Sequence, residues 1–129
     1  MNAVDTNIVV RIFVDDDEKR AAAARSIFES GPVWIAKTVL LETAWVLRRY
    51  YKYEQSAIVE ALASLPELEH VHIEDEDSVR TALSFMSRGI DPADAMHLAS
   101  TPAGARFATF DRDLVRRAKR AGASNVAAL

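Results

Sequence analysis

The chain opens with MNAVDTNIVVRIFV (Met1–Val14), in which a short apolar segment ends at an acidic residue and a helical pattern follows. Asn2 to Val4 predicts a strand that ends at Asp5. From Thr6 to Val14, apolar residues recur at the spacing of a helix with one buried face. A strand followed at once by a helix is the repeating element of α/β folds with a parallel sheet.

Outward from this stretch, short apolar segments alternate with helical ones up to the C-terminus. We predict further strands at 33–35, 68–73, 106–110 and 125–127, and further helices at about 15–30, 38–51, 54–65, 76–88, 91–101 and 111–121. No repeat, low-complexity segment or linker interrupts this alternation. The sequence therefore predicts a single α/β domain over residues 1–129, with a small, mostly parallel central sheet and about seven helices.

Composition excludes several classes of protein. The 129 residues include no cysteine and carry 27% charged residues of both signs, so a disulfide miniprotein, a thiolate metal site and a disordered chain are excluded. The net charge of -3 argues at first against a nucleic-acid partner, because phosphate binding usually requires a basic surface. No secretory signal or membrane span is predicted, so we expect a cytoplasmic protein without a membrane partner.

Acidic residues lie where predicted strands end and where the following helices begin. Asp5 and Asp111 each follow a strand, whereas Glu42 and Asp94 lie in the first turns of helices. In an open parallel sheet these positions share one edge, where ligands bind. We therefore expect four carboxylates to converge there.

A cluster of carboxylates needs a cation, because two of them about 4 Å apart repel by roughly 4 kcal/mol at an effective dielectric of about 20. With no cysteine and only three histidines in the chain, Mg²⁺ or Mn²⁺ fits this oxygen-rich site better than zinc does. Metal ions held in this way are typical of enzymes that hydrolyse phosphodiesters.

Each of these acids also has a structural interpretation. Asp111 precedes a helix and suits an N-cap, Asp91 and Asp94 have the spacing of a capping box, and Asp5 can cap the helix that follows it. Glu42 has apolar neighbours on both sides, and an acid in such surroundings usually needs a partner or a metal. Both interpretations stay open for the individual acids.

Four motifs together resemble the PIN domain. They are Asp5-Thr6-Asn7-Ile8, LLETAWVL at 40–47 around Glu42, DPADAMHLA at 91–99 around Asp94, and ATFDRDL at 108–114 around Asp111. They occur in the family's order and span essentially the whole chain. Within the family, they are similar to the bacterial VapC-type toxins.

This resemblance implies a three-layer α/β/α PIN-like fold and an Mg²⁺- or Mn²⁺-dependent endoribonuclease. It also implies the toxin of a toxin–antitoxin pair, a homodimer inhibited by a small VapB-type antitoxin. Carried over by position, the catalytic and metal-binding acids are Asp5, Glu42, Asp94 and Asp111, and the supporting polar residues are Thr6, Asn7 and Thr109. The family's motif favours Asp94 over Asp91, which then caps the helix, and favours Asp111 over Asp113.

Basic and aromatic residues offer further candidate contacts. Arg112 and Arg116 lie one turn apart on a basic stripe of the last helix. We hypothesise that they bind substrate phosphates, while a solvated helix face is the default interpretation. Trp45 and the tyrosines at 50, 51 and 53, interleaved with basic residues, suit a surface for RNA or for an antitoxin segment. The alternative is a core tryptophan beside solvated charges. His97 is interpreted as a hydrogen-bonded helix residue, and the histidines at 70 and 72 as solvent-facing.

Two other functions stay open from the sequence. One is an aspartyl-phosphate-type phosphatase or phosphotransferase with Asp5 as nucleophile, although Asn7 breaks the Asp-x-Asp motif that haloacid-dehalogenase-like enzymes carry. The other is a non-catalytic regulatory binding domain whose acids only cap helices.

Overall fold

Seven α-helices and five short strands make up the chain in a computed structural model that describes residues 1–129. Contacts divide it into two units, Met1–Glu76 and Asp77–Leu129, and each is described by itself. The first unit contains β1 (Asn2–Ala3), α1 (Thr6–Phe13), α2 (Glu18–Glu29), β2 (Val33–Ile35), α3 (Lys37–Arg49), α4 (Gln55–Ser64), a 3-10 helix (Leu65–Glu67) and β3 (Val71–Ile73). The second contains α5 (Glu76–Ser87, which begins at the boundary), α6 (Pro92–Ala99), β4 (Phe107–Thr109), α7 (Arg112–Arg120) and β5 (Val126–Ala128).

The first unit is built on a parallel sheet with the strand order β1-β2-β3. In the middle strand, Val33 and Ile35 point to one face of the sheet and are fully buried, whereas Trp34 on the other face is half-buried. Because all three strands run in the same direction, Asp5 after β1 and the start of α3 after β2 lie towards the same edge of this sheet.

A capping residue explains where α2 begins, and packing relates α1 to its neighbours. The carboxylate of Asp17 accepts a hydrogen bond from the backbone N–H of Arg20 and so caps α2. Helix α1 packs against α2 and α3 through buried residues that include Val9 and Val10. This packing fixes the face of α3 that is buried.

The second unit combines a parallel β4-β5 pair with three helices. Asp91 and Asp111 cap α6 and α7, and Pro92 occupies the first helical position of α6, where its missing N–H has no cost. On α7, Leu114, Val115 and Ala118 are buried while the basic side chains face outwards. None of the helices is long and apolar enough to span a bilayer.

The structure has every predicted helix and strand, with shifted ends. The largest difference concerns β3, predicted from residue 68, which begins at Val71. Residues 65–70 instead form the 3-10 helix and a turn, in which Val71 N–H donates to the Leu68 carbonyl. His70 has a φ of 64°, which is incompatible with an extended strand. The strands form two hydrogen-bonded sheets, one in each unit, where the sequence predicted one, and every strand pairing is parallel.

Candidate active site

Asp5 occupies the N-cap position of α1, directly after β1, but its side chain makes no capping hydrogen bond. The side chain is exposed to solvent. The capping interpretation of Asp5 is therefore wrong for this structure. Its carboxylate is available to bind a ligand.

Glu42 lies on α3 and is contacted by Thr6, the residue that follows Asp5. The buried Thr6 hydroxyl, on a residue that is 6% exposed, donates a hydrogen bond to the Glu42 carboxylate. The apolar residues beside Glu42 in the sequence do not enclose its side chain, because Glu42 is exposed, and the Thr6 hydroxyl is the kind of partner that the sequence predicted for it. Leu40 and Ala44 are buried, but successive helical residues are about 100° apart, so Glu42 lies on the outer face.

Sequence reasoning overlooked the acids that follow β3. Glu74 comes directly after this strand, and its carboxylate accepts a hydrogen bond of 2.9 Å from the backbone N–H of Lys37 in the first turn of α3. The side chain of Lys37 pairs with Asp75 at 3.0 Å. Their position after a parallel strand was the available signal. Both acids hold the start of α3, which carries Glu42 one turn further on.

In the second unit, Asp91 and Asp94 have different roles. The Asp91 carboxylate accepts hydrogen bonds from the backbone N–H groups of Ala93 at 3.1 Å and Asp94 at 3.4 Å, so Asp91 caps α6 as the sequence suggested. Asp94 is partly buried in the first turn. Burial raises the pKa of the Asp94 carboxyl, and the negative charges of Asp91 and Asp111 add to this shift. The positive charges of His97 and Arg117 act against it.

Asp111 is both the cap of α7 and one of the charges that act on Asp94. One oxygen of its carboxylate accepts a hydrogen bond of 2.9 Å from the Leu114 N–H. Its own N–H donates to the Thr109 hydroxyl at 3.0 Å, so Thr109 holds the backbone at this position. Asp113 instead forms ion pairs with Arg116 and Arg117. Asp91, Asp94 and Asp111 are thus acids of this unit whose charges interact, and none of their carboxylates forms an ion pair.

The remaining candidates are distributed as follows. Asn7 is exposed and lines a groove between α1 and α2 rather than contacting Glu42. Arg112 is exposed, whereas Arg116 is engaged with Asp113. The three histidines are exposed, as expected for positions 70 and 72.

Two exposed aromatic side chains lie next to candidate acids. Trp45 is 54% exposed, so of the two alternatives the core tryptophan is wrong. Phe110, predicted as part of β4, lies beyond the strand and is 84% exposed directly before Asp111. One signal in the sequence pointed to Phe110, namely its place directly before the acid that caps α7.

The acidic side chains suit a hard cation by chemistry, since their donors are carboxylate oxygens. The structure nevertheless contains no group of three or more His, Asp or Glu side chains arranged to hold a metal ion. Within the first unit, the hydrogen bond from Thr6, the residue after Asp5, connects this part of the chain to Glu42. Within the second unit, Asp94 and Asp111 interact through their charges.

Parallel strands followed by acids, with further acids in the first turns of the next helices, define an α/β protein with an acidic candidate site. The family model for the PIN domain matches residues 3–120, which is most of the chain, so the chain belongs to the PIN domain family. Its seven helices and parallel strands agree with the three-layer α/β/α fold class of that family. A search among curated proteins finds no match.

Membership in this family indicates a nuclease, and therefore a hydrolase. Nucleases of the family typically use divalent metal ions. The domain match covers residues from both units.

Proposed function

We propose that the chain is an Mg²⁺- or Mn²⁺-dependent endoribonuclease whose metal-binding and catalytic acids are Asp5, Glu42, Asp94 and Asp111. The observation that carries the proposal is the family match over residues 3–120, which includes all four acids. Each acid follows a parallel strand or lies in the first turns of a helix. The similarity of the motifs to VapC-type toxins supports RNA as the substrate.

The charges around Asp94 support binding of a cation. Burial raises the pKa of the Asp94 carboxyl most, and the carboxylates of Asp91 and Asp111 raise it further because they contribute a negative field. A divalent cation would offset this field and favour the ionised form of Asp94. The free oxygen of Asp111, whose other oxygen caps α7, is available to the same cation.

A bound divalent ion supplies an activated water and neutralises charge on the phosphate oxygens of the substrate. The residues of the chain then position the reactants. Thr6 holds the Glu42 carboxylate through its hydroxyl, and Thr109 fixes the backbone of Asp111. Arg112, exposed at the start of α7, has a charge that suits a phosphate of the RNA backbone.

RNA cleavage by the purified protein tests this proposal. We expect cleavage with Mg²⁺ or Mn²⁺, none with chelator, and none by Asp5→Asn. Asp15→Asn is a matched control, because Asp15 is an equally exposed acid just beyond α1. Cleavage by Asp5→Asn at the wild-type rate would show that the assigned site is wrong. A fluoroberyllate adduct on Asp5 would instead favour an aspartyl-phosphate enzyme.

We further propose that the protein is the cytoplasmic toxin of a toxin–antitoxin pair, active as a homodimer and inhibited by a VapB-type antitoxin. An open groove of about 320 Å³ between α1 and α2 supports such a partner. Its lining is mainly apolar, with Ile8, Ala24 and Ile27 in the groove and Arg11 and Arg20 among its polar residues. The apolar face of an amphipathic antitoxin segment fits such a groove.

Growth and inhibition assays test the partner. Expression of the chain alone should arrest growth, and co-expression of a small upstream open reading frame should relieve the arrest. Ala23→Trp places an indole in the groove and should prevent inhibition without affecting cleavage, whereas Ala22→Trp, exposed on the same helix but outside the groove, should not. If the partner inhibits Ala23→Trp fully, the groove is not its binding site. The homodimer is tested by light scattering, which should give a molar mass of twice 14.3 kDa.

A further inference from the structure

Two aromatic rings at the end of α3 contact each other in solvent. Trp45 is 54% and Tyr50 65% exposed, and their ring centroids lie 5.6 Å apart with planes at 81°. Aromatic side chains of this size are mostly buried in folded proteins. The edge-to-face contact fixes the orientation of both rings relative to each other. We call Trp45 and Tyr50 the α3 aromatic pair.

The two neighbouring tyrosines, Tyr51 and Tyr53, form side-chain hydrogen bonds that stabilise the fold, whereas the α3 aromatic pair forms none. The Tyr51 hydroxyl donates to the Asp16 carboxylate at 2.9 Å, and the Tyr53 hydroxyl donates to the Phe13 carbonyl at 3.3 Å. These bonds fasten the segment after α3 to the end of α1. Tyr50 and Trp45 make no comparable bond, so their positions in the sequence require another explanation.

The position of Trp45 relates the aromatic pair to the candidate site. Glu42, Trp45 and Arg49 are three and then four residues apart, which places them on one face of α3. All three are exposed. Three residues of an α-helix rise by about 4.5 Å, so Trp45 lies one turn beyond the proposed ligand Glu42.

Basic residues lie next to the aromatic pair in the sequence. Arg48, Arg49 and Lys52 are basic, and no acidic residue occurs from Thr43 to Tyr53. The guanidinium of Arg48 donates to the neutral Gln55 at 3.1 Å, and the ammonium of Lys52 donates to the Arg49 carbonyl at 3.0 Å. None of the three charges is neutralised by an ion pair.

Building on the ribonuclease function proposed above, we propose that the α3 aromatic pair is a stacking platform for an unpaired base of single-stranded RNA. Arg49 and its basic neighbours contact the adjacent phosphates. Single-stranded nucleic acids bind surfaces that combine exposed aromatic rings with unneutralised positive charge. Each base can stack on a ring, and each backbone phosphate carries a negative charge. A duplex does not suit the platform, since its bases are already stacked. Trp45 is thus a positioning residue for RNA next to Glu42.

Binding of a short fluorescent single-stranded RNA, measured in chelator so that no cleavage occurs, tests the platform. Trp45→Ala should weaken binding by about 5- to 150-fold, the range for loss of one stacked base. Trp45→Phe should retain most of the affinity because it keeps a ring. Leu68→Ala is a matched control: Leu68 is 40% exposed at the N-terminal side of β3 and should leave RNA affinity unchanged.

Intrinsic fluorescence gives a second readout, because the chain has only two tryptophans. Trp34 is half-buried on β2. Single-stranded RNA should quench the wild-type emission, and Trp45→Phe should abolish this quenching while labelled RNA still binds. Quenching that survives in Trp45→Phe would overturn the proposal.

Salt dependence tests the role of Arg49. Each phosphate contact contributes about -0.7 to the slope of log K against log salt for single strands. Arg49→Ala should therefore make the slope less steep by about this amount, whereas Lys19→Ala, on an exposed basic residue of α2, should leave it unchanged.

The outcomes separate the platform from the ribonuclease function. Wild-type cleavage with unchanged RNA affinity and KM in Trp45→Ala would overturn the platform alone, as would a Trp45→Ala defect that is equal on duplex RNA. Binding and quenching that depend on Trp45, without cleavage, would support the platform and refute the nuclease function. If Trp45→Ala instead converts a dimer to a monomer and RNA affinity is unchanged, the surface is an interface between copies and the platform is refuted.

Discussion

Thr6→Val removes the hydroxyl through which α1 contacts the Glu42 carboxylate, and we expect it to reduce both stability and metal affinity. Valine has nearly the same shape as threonine, so packing at this buried position is kept while the hydrogen bond is lost. The residue thus separates the effect of one polar contact from the effect of a cavity.

The exposure of Glu42 determines how much stability and metal affinity Thr6→Val should lose. A hydrogen bond to a charged group contributes about 1.5–3 kcal/mol. Because Glu42 is exposed, water replaces the lost donor, so we expect a reduction of only about 1 kcal/mol in the free energy of unfolding. For a chain of this length that corresponds to a decrease of about 3–5 °C in Tm. Partners that orient metal-binding side chains contribute about 10- to 100-fold to metal affinity or activity, and exposure of Glu42 favours the lower value.

Thermal unfolding in chelator and in a Mn²⁺ titration measures both effects. Thr6→Ser keeps the hydroxyl and should retain most of the Mn²⁺-dependent increase in Tm. Combining Thr6→Val with Glu42→Gln should cost less than the sum of the single changes, since both remove the same contact. If Thr6→Val has the wild-type Tm and the wild-type Mn²⁺ response, the hydroxyl does not hold Glu42 in solution.

Three further outcomes follow from the second unit. Asp94→Asn should raise Tm in chelator at neutral pH and abolish stabilisation by Mn²⁺. Because the folded-state pKa of Asp94 is raised, its carboxylate destabilises the folded state as the pH rises through that pKa. The difference in Tm between Asp94→Asn and wild type should therefore vanish below the ordinary pKa of 3.8. Asp111→Ala should cost about 1 kcal/mol through loss of the α7 cap, whereas Asp111→Asn should keep the cap; both should stop RNA cleavage. Phe110→Ala should change the free energy of unfolding by less than about 0.5 kcal/mol, because the ring is 84% exposed, and chemical denaturation measures this.

Periodicity predicted the order and type of the elements because each signal is local. Val33 to Ile35 has the predicted strand bounds, and Asp91-Pro92 starts α6 by capping chemistry that the sequence displays directly. The segment before Val71 was misassigned because Leu68, with its alternating neighbours, has the pattern of a strand. The turn there depends on His70 at positive φ, which no local pattern of polar and apolar residues reveals.

Exposure at the candidate site could not be predicted in the same way. Helix α3 has apolar residues on more than one side, so the sequence alone does not indicate which of them face α1. Packing buries Leu40 and Leu47 and leaves Glu42 and Trp45 outside. The same packing brings Thr6 to Glu42 across 36 positions of sequence, a contact that only the tertiary structure specifies.

Capping and metal binding are compatible roles for the same acid. A carboxylate has two oxygens, and Asp111 uses one of them for the Leu114 N–H, so the other can bind a cation. The helix N-terminus stabilises the negative charge by about 0.3–1 kcal/mol, which offsets part of the repulsion between Asp111 and Asp94 in the metal-free protein. An N-cap aspartate is therefore a favourable position for a metal ligand in an acidic site, because the helix N-terminus stabilises its charge. Asp5 lies at the corresponding position of α1 without a capping bond, which leaves both of its oxygens available.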